Sequence, residues 1–237
     1  MPDKQLVNYL IKGMKFGFRI SFNRASKLSS TEQNMLSALS NRKPVEEFLL
    51  TELQAGRVLG PFPLHHFSQI HISRFGVIPK CSQPGKWRLI LDLSSPDGLS
   101  VNDGISPKLC SLSYISVDHT AEIMSTLGCS TQLAKIDIAH AYRNVPVHPD
   151  DRHLLGMQWN NSLYVDSVLP FGLQSAPKVF SALADTLEWI LLHNKVSHIL
   201  HYLDDFLTAG KPLTDECRAE SQHPYQHLQE IRLSSCH

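Results

Sequence analysis

Two adjacent carboxylates set among apolar residues constrain this chain more than any other feature. In His201-Tyr202-Leu203-Asp204-Asp205-Phe206-Leu207, the pair Asp204-Asp205 stands between Ile199-Leu200 and Phe206-Leu207. Short apolar runs around a polar tip predict two strands joined by a tight turn. Such a tip would hold Asp204 and Asp205 rigidly and aim them at one place. Paired carboxylates with no basic neighbour repel each other, so ionising both calls for a cation. Magnesium fits, because it takes hard oxygen ligands and is usually held by one or two carboxylates plus substrate phosphates. The plain alternative for these seven residues is a solvated Asp-Asp turn.

A third carboxylate shifts the balance. Asp137 stands inside Leu133-Ala134-Lys135-Ile136-Asp137-Ile138-Ala139-His140-Ala141-Tyr142, an apolar run in which an unpaired charge is expensive. At the end of a buried strand it would join Asp204 and Asp205 around the metal. Between the two stretches lies Leu169-Pro170-Phe171-Gly172-Leu173-Gln174-Ser175-Ala176-Pro177. Lys-Ile-Asp-Ile-x-x-Ala-Tyr, Leu-Pro-Phe-Gly-Leu-Gln-Ser-Ala-Pro and Tyr-x-Asp-Asp, in that order, resemble the motifs of a reverse transcriptase. The resemblance implies an α+β fold of right-hand polymerase fingers and palm, the palm an antiparallel sheet backed by helices. It implies RNA-directed DNA synthesis by nucleotidyl transfer. Asp137, Asp204 and Asp205 would be catalytic, holding two Mg²⁺ (or Mn²⁺) with the backbone carbonyl of Ile138 as a further ligand.

The net charge is zero, which is unexpected for a protein that handles nucleic acid. Its distribution answers the objection. Residues 1–90 carry 13 Lys+Arg against 5 Asp+Glu, whereas residues 91–237 carry 9 against 17. A basic half can follow phosphates while an acidic half gathers divalent metal. The 42% hydrophobic and 19% charged content is that of a globular chain. No apolar run approaches a membrane span, and the N-terminus lacks the layout of a signal peptide. The five cysteines, at 81, 110, 129, 217 and 236, form no C-x-x-C pair. Reduced thiols in an intracellular protein of cytoplasm or nucleus, not a secreted one, are the expectation.

Along the chain, residues 1–43 read as a basic N-terminal segment with one short strand through Phe16, Phe18, Ile20 and Phe22. Residues 44–130 read as the fingers-like part and 131–217 as the palm. A helix is expected over 44–58, with Val45, Phe48, Leu49 and Leu53 on one face and Gly56 at its end. Gly60-Pro61-Phe62-Pro63 reads as a turn. His65, His66 and His71 have no Cys or carboxylate partner nearby and read as ordinary histidines. Residues 74–93 read as a hairpin around a Cys-Ser-Gln-Pro-Gly-Lys loop. Its Lys80, Lys86 and Arg88 would either be a solvated basic tip or close over a triphosphate, Arg88 as a planar fork. The resemblance favours phosphate contact for Arg88 and leaves Lys80 and Lys86 as rivals.

A helix is expected over 116–130, with Ile123, Met124 and Leu127 apolar. Leu154–Trp159 and Leu163–Val168 read as a hairpin across Asn160-Asn161. Ser175 is expected to cap the next helix, with Pro177 in its first turn and Val179, Phe180, Leu183, Leu187, Ile190 and Leu191 as its core stripe. On its residues alone Tyr142 reads as a core tyrosine. The resemblance makes it the gate beneath the incoming sugar that excludes a 2′-hydroxyl. His140 and Ala141 can offer backbone N–H groups to phosphate. Phe171 takes a position that is Gln in retroviral enzymes and Phe in many retrotransposon enzymes, and Gly172 would let backbone approach the template–nucleotide pair.

Within residues 74–217, the stretches at 88–105, 141–159 and 182–191 resemble the polymerases of tyrosine-recombinase (DIRS-like) retrotransposons. The expected partners are RNA or DNA template, primer and deoxynucleoside triphosphates, together with RNase H or recombinase domains encoded elsewhere, and no membrane. Residues 218–237 depart from the family pattern, so a thumb is expected to be missing. The tail also offers Cys217, His223, His227 and Cys236, the right ligand types for zinc at an unfamiliar spacing. Two further readings stay open: a truncated remnant that binds nucleic acid without catalysis, and an RNA-copying RNA polymerase.

Overall fold

The computed structural model describes residues 3–30, 33–80, 84–194 and 196–211. The tail histidines and cysteines, and Cys81, lie outside them. The chain forms two units. Among the described residues, the larger spans 3–111 and 142–179, and the smaller spans 112–141 and 180–211. The division cuts across the linear order, because 142–179, assigned to the palm by sequence, belongs to the larger unit. Among the described residues no helix is long and apolar enough to cross a membrane.

The larger unit opens with α1 (Lys4–Phe16), which the sequence reading missed. Asp3 caps it, accepting from the N–H groups of Gln5 and Leu6. Gly17 ends it at φ +90°, where L side chains are strained. The expected alternation then holds over Phe18 and Ile20, both buried, although the extended segment makes only isolated bridges, Phe18 to Val147 and Phe22 to Ile105. A Cβ on Gly17 would lie 2.4 Å from the backbone nitrogen of His148. Gly17→Ala is therefore expected to destabilise the protein by about 2–3 kcal/mol in urea unfolding.

Next come α2 (Leu36–Ser40) and α3 (Arg42–Gln54), the latter burying Val45 and Leu49 as its spacing predicts. The strands of this unit are β1 (Val58–Pro63), β2 (Phe75–Pro79), β3 (Trp87–Leu91), β5 (Gly156–Trp159) and β6 (Ser162–Asp166). They form a sheet of order β1-β6-β5 and a separate β2–β3 hairpin. Gly60-Pro61-Phe62-Pro63, expected as a turn, lies within β1. Prolines are admitted there because β1 is an edge strand whose register breaks between Leu59 and Phe62. The β5–β6 turn is the predicted Asn160-Asn161, with both residues at positive φ, the signature of a type I′ hairpin. The four-residue α5 (Pro149–Arg152) supplies buried Asp151, which takes both guanidinium arms of Arg19 at 2.7 Å.

A buried ionic network joins the pieces of this unit. Glu52 of α3 pairs with Arg57 at 2.6 Å and with Arg143 at 2.7 Å, and Arg143 also reaches Asp166 of β6 at 2.7 Å. The Arg143, Glu52 and Asp166 side chains are all 6% exposed or less. Burial pushes the Glu52 carboxyl up, but the Arg57 hydrogen bond and the charge of Arg143 outweigh it and hold it below the ordinary carboxylate value.

The smaller unit is built on a three-stranded antiparallel sheet of order β4-β8-β7, from β4 (Gln132–Asp137), β7 (Ile199–Tyr202) and β8 (Asp205–Gly210). Ser116 caps α4 (Val117–Leu127) and Gly128 ends it, as expected. Its apolar residues are not core, however: α4 buries none of its residues, and Val117 is 84% exposed. The long α6 (Ala176–His193) starts in the larger unit and continues in the smaller. Val179, Phe180 and Leu191 of its stripe are buried, and Leu183, Leu187 and Ile190 are half-buried. Pro177 sits in its first turn. The Ser175 hydroxyl is not the expected cap: it is buried without a partner, and only the Ser175 carbonyl is used, accepting from the Val179 N–H at 3.1 Å.

Candidate active site

The β7–β8 hairpin turns on two residues, Leu203 and Asp204. Tyr202 pairs with Asp205, so Asp205 opens β8 rather than sharing the tip. The expected hairpin is present, with its tip one residue earlier than the Asp-Asp pair. Leu203 takes φ +55°, the first turn position that hairpins usually give to glycine. A leucine held there is strained, and such strain persists only where surrounding pairing over-determines it. Here the β7–β8 and β4–β8 ladders supply that pairing.

Register then brings the second carboxylate across. Asp137, the last residue of β4, is the cross-strand partner of Asp205. Directly opposed antiparallel residues have Cβ atoms about 4.5–5.5 Å apart. The N–H of Ile138 donates to the backbone oxygen of Asp204 at 3.3 Å, tying the end of β4 to the turn. The expectation that Asp137 ends a buried strand is corrected: β4 is an edge strand in which only Ile136 is buried, and Asp137 is exposed. It therefore escapes the burial penalty that its sequence setting suggests.

Like charges directly opposed are destabilising, and a basic side chain relieves them, which corrects the reading of a site without one. Lys135 lies two residues before Asp137, so both point to one face of β4. Its Nζ meets Asp205 Oδ2 at 2.8 Å, with the two side chains 63% and 42% exposed. The Asp205 hydrogen bond acts most strongly on Lys135. With the charges of Asp205, Asp137 and Asp204 it holds the ammonium above its ordinary pKa against the cost of desolvation. Among the described residues no three His, Cys, Asp or Glu side chains are arranged to hold a metal ion; Asp205 is turned to the lysine instead.

Beside the hairpin, Tyr202 packs on Tyr114 with ring centroids 5.0 Å apart, both rings about half exposed. Behind it, His201 Nε2 lies 2.9 Å from Asp185 Oδ1 on α6. After β4, His140 takes φ +59°, and the Ala141 N–H closes the turn onto the Ile138 carbonyl at 3.2 Å. In this turn those two groups satisfy each other.

The remaining expected site residues lie in the larger unit. Tyr142 is 8% exposed and meets the half-exposed ring of Phe171 edge-on, centroids 5.4 Å apart. Gly172 is held at φ +90°, and a Cβ there would lie 3.3 Å from the Leu91 carbonyl. The loop carrying Phe171 and Gly172 is clamped by Asn102, a residue that sequence reasoning passed over. Asn102 Nδ2 donates to the Gly172 carbonyl at 2.8 Å, and its Oδ1 accepts from the Gln174 N–H at 2.9 Å. Arg88 is exposed on β3 opposite Ile78. The Lys80 N–H donates to the Lys86 carbonyl at 2.8 Å, so both rival lysines stand at the neck of one loop. His71 is buried, and neither ring nitrogen has a protein partner.

The sequence matches the family described as reverse transcriptase (RNA-dependent DNA polymerase) over residues 78–234. It is 26% identical over 154 residues to the Tf2-3 transposon polyprotein of Schizosaccharomyces pombe, covering 65% of this chain and 10% of the polyprotein. The Tf2-7 polyprotein of the same yeast is 25% identical over the same length. The chain thus spans about a tenth of these relatives. Among solved structures, a foamy viral protease–reverse transcriptase in complex with double-stranded DNA superposes with a TM-score of 0.61 at 18% identity, covering 89% of this chain and 39% of that one. The native prototype foamy virus protein gives 0.55 at 19% identity. These likenesses bear on the fold: a mixed α/β polymerase fold with antiparallel sheets.

Proposed function

Because the chain belongs to the reverse transcriptase family, we propose that its β4–β8–β7 sheet carries the nucleotidyl-transfer site of an RNA-directed DNA polymerase. The observation that supports this best is the register: Asp137 opposite Asp205, with Asp204 in the adjoining turn. The donors are hard carboxylate oxygens, and Lys135 already draws a positive charge to them. They fit Mg²⁺, which needs only one or two protein carboxylates. Two such ions lower the barrier by activating a hydroxyl and neutralising charge on the leaving group. Asp137, Asp204 and Asp205 would hold them, with the Ile138 carbonyl beside them.

The other residues bind and orient substrate. Arg88, with Lys80 or Lys86, would receive the triphosphate of a deoxynucleotide. In the smaller unit, His140 and Ala141 would offer backbone N–H groups to phosphate. Tyr142 and Phe171 would close against the sugar, and Gly172 would let the loop approach the nascent pair. Template and primer would be held through phosphate charge and duplex shape, in keeping with the DNA-bound foamy virus proteins. The narrower placement among tyrosine-recombinase retrotransposons rests on the sequence stretches at 88–105, 141–159 and 182–191.

Single-nucleotide addition tests the site. The wild-type chain should add deoxynucleotides to an annealed primer, and chelation should stop it. Tyr142→Ala should raise ribonucleotide use relative to deoxynucleotide by about 10- to 100-fold, since a steric exclusion is removed; an unchanged ratio would remove Tyr142 from the sugar site. A second reading is a nucleic-acid-binding remnant without catalysis, in which the contact of Lys135 with Asp205 is a plain surface ion pair. It predicts duplex binding with no addition.

A further inference from the structure

Lys135 carries an inference that deepens this reading and rests on it. We propose that Lys135 is a tethered cation that occupies the carboxylate site until the divalent ion arrives, and so sets how tightly the free protein binds that ion. Three observations support it. Its Nζ is in direct contact with Asp205 Oδ2 at 2.8 Å. It lies on the same face of β4 as Asp137, whose cross-strand partner is Asp205. Its side chain is 63% exposed on the edge strand β4, so it can leave the carboxylates for solvent.

The exchange requires no proton transfer. The ammonium keeps its proton, leaves Asp205 and turns to solvent, as a half-exposed side chain on an edge strand can do. The freed Asp205 oxygen would then be open to the divalent ion. While Lys135 is in place it repels the ion and withholds one of its ligands, so the free protein binds metal weakly. An ion that arrives with triphosphate oxygens brings further ligands of its own and overcomes the lysine. The tether thus favours loading of metal together with nucleotide over loading of metal alone.

The test is Mn²⁺ binding to the whole chain without nucleotide, read by the loss of the free-ion paramagnetic resonance signal. Lys135→Met is expected to bind Mn²⁺ about three- to tenfold more tightly than wild type, because a like charge and a competing ligand partner are both removed. Lys135→Gln should follow it, and Lys135→Arg should stay near wild type. Equal or weaker binding in both neutral variants overturns the inference while leaving the metal site standing. If the neutral variants bind Mn²⁺ no better than Asp205→Asn, the metal site itself fails and the inference falls with it. Lys135 is 63% exposed, so its substitutions should leave the circular dichroism melt near wild type.

Discussion

Nucleotide addition by Asp204→Asn and by Asp205→Asn should fall by about 10³-fold or more, with the fold retained. Asparagine keeps the volume and one oxygen but loses the charge that would hold a divalent ion. Lewis-acid stabilisation of phosphoryl transfer amounts to several kcal/mol, and about 4 kcal/mol corresponds to a thousandfold in rate. Asp137→Asn should do the same, because register places it opposite Asp205. These side chains are at the surface, where ion pairs contribute little to stability. Urea midpoints should therefore stay close to wild type. A variant that loses activity only by unfolding would not support the assignment, so unfolding curves belong beside the rates. Near-wild-type addition by any one of the three would remove that carboxylate from the metal site.

Arg143→Met should have the largest effect on stability, about 3–5 kcal/mol, the usual result of removing one partner from a buried ion pair. Arg143 is 6% exposed between Glu52 and Asp166, so its loss leaves two buried carboxylates of which only Glu52 keeps a partner, Arg57. That is a large part of the 5–15 kcal/mol that holds a typical domain. Urea unfolding followed by circular dichroism reads it. Glu52→Gln in the same background should recover part of the loss, because one stranded charge is removed. Burial outweighs the pull of Arg143 and holds the Asp166 carboxyl above its ordinary value, so the loss of stability with acid comes from Glu52. Its folded pKa lies below the unfolded value of about 4.3. Its contribution is therefore complete above that pH and is lost as pH falls through the folded value. Wild type should weaken with acid below about pH 4, and Arg143→Met should show a shallower acid slope. Equal slopes in the two proteins would contradict the network. The same substitution acts next to Tyr142, so the stability loss and any change in sugar selectivity should appear together.

Local signals were legible where a residue type has few conformational options. Asn160-Asn161 marked a hairpin turn, Ser116 and Gly128 marked the ends of α4, and Pro177 marked the first turn of α6. The Asp-Asp hairpin was read from its flanking apolar pairs, although its turn falls on Leu203-Asp204, because strand pairing overrides the preference of leucine for negative φ. Pairings set by long-range register were not legible. Lys135 was read as part of a motif, and nothing in residues 133–142 says that β8 will present Asp205 to it. Glu52 and Arg143 meet across 91 residues of sequence, and Asn102 reaches Gly172 across 70. The edge position of β4 likewise depends on strand order, which is why Asp137 looked buried in sequence and is exposed in the structure. β1 was missed because its prolines suit a turn equally well.

Copying of RNA into DNA at the carboxylate hairpin is a proposal that one reaction tests. The direct measurement is extension of a primer annealed to an RNA template, with deoxynucleotides and Mg²⁺ or Mn²⁺, beside the Asp204→Asn, Asp205→Asn double variant. Wild type should add deoxynucleotides templated by the RNA, and addition should be absent with chelator and in the double variant. Retained binding of the template–primer with no addition under either metal would contradict it and leave a nucleic-acid-binding remnant in its place.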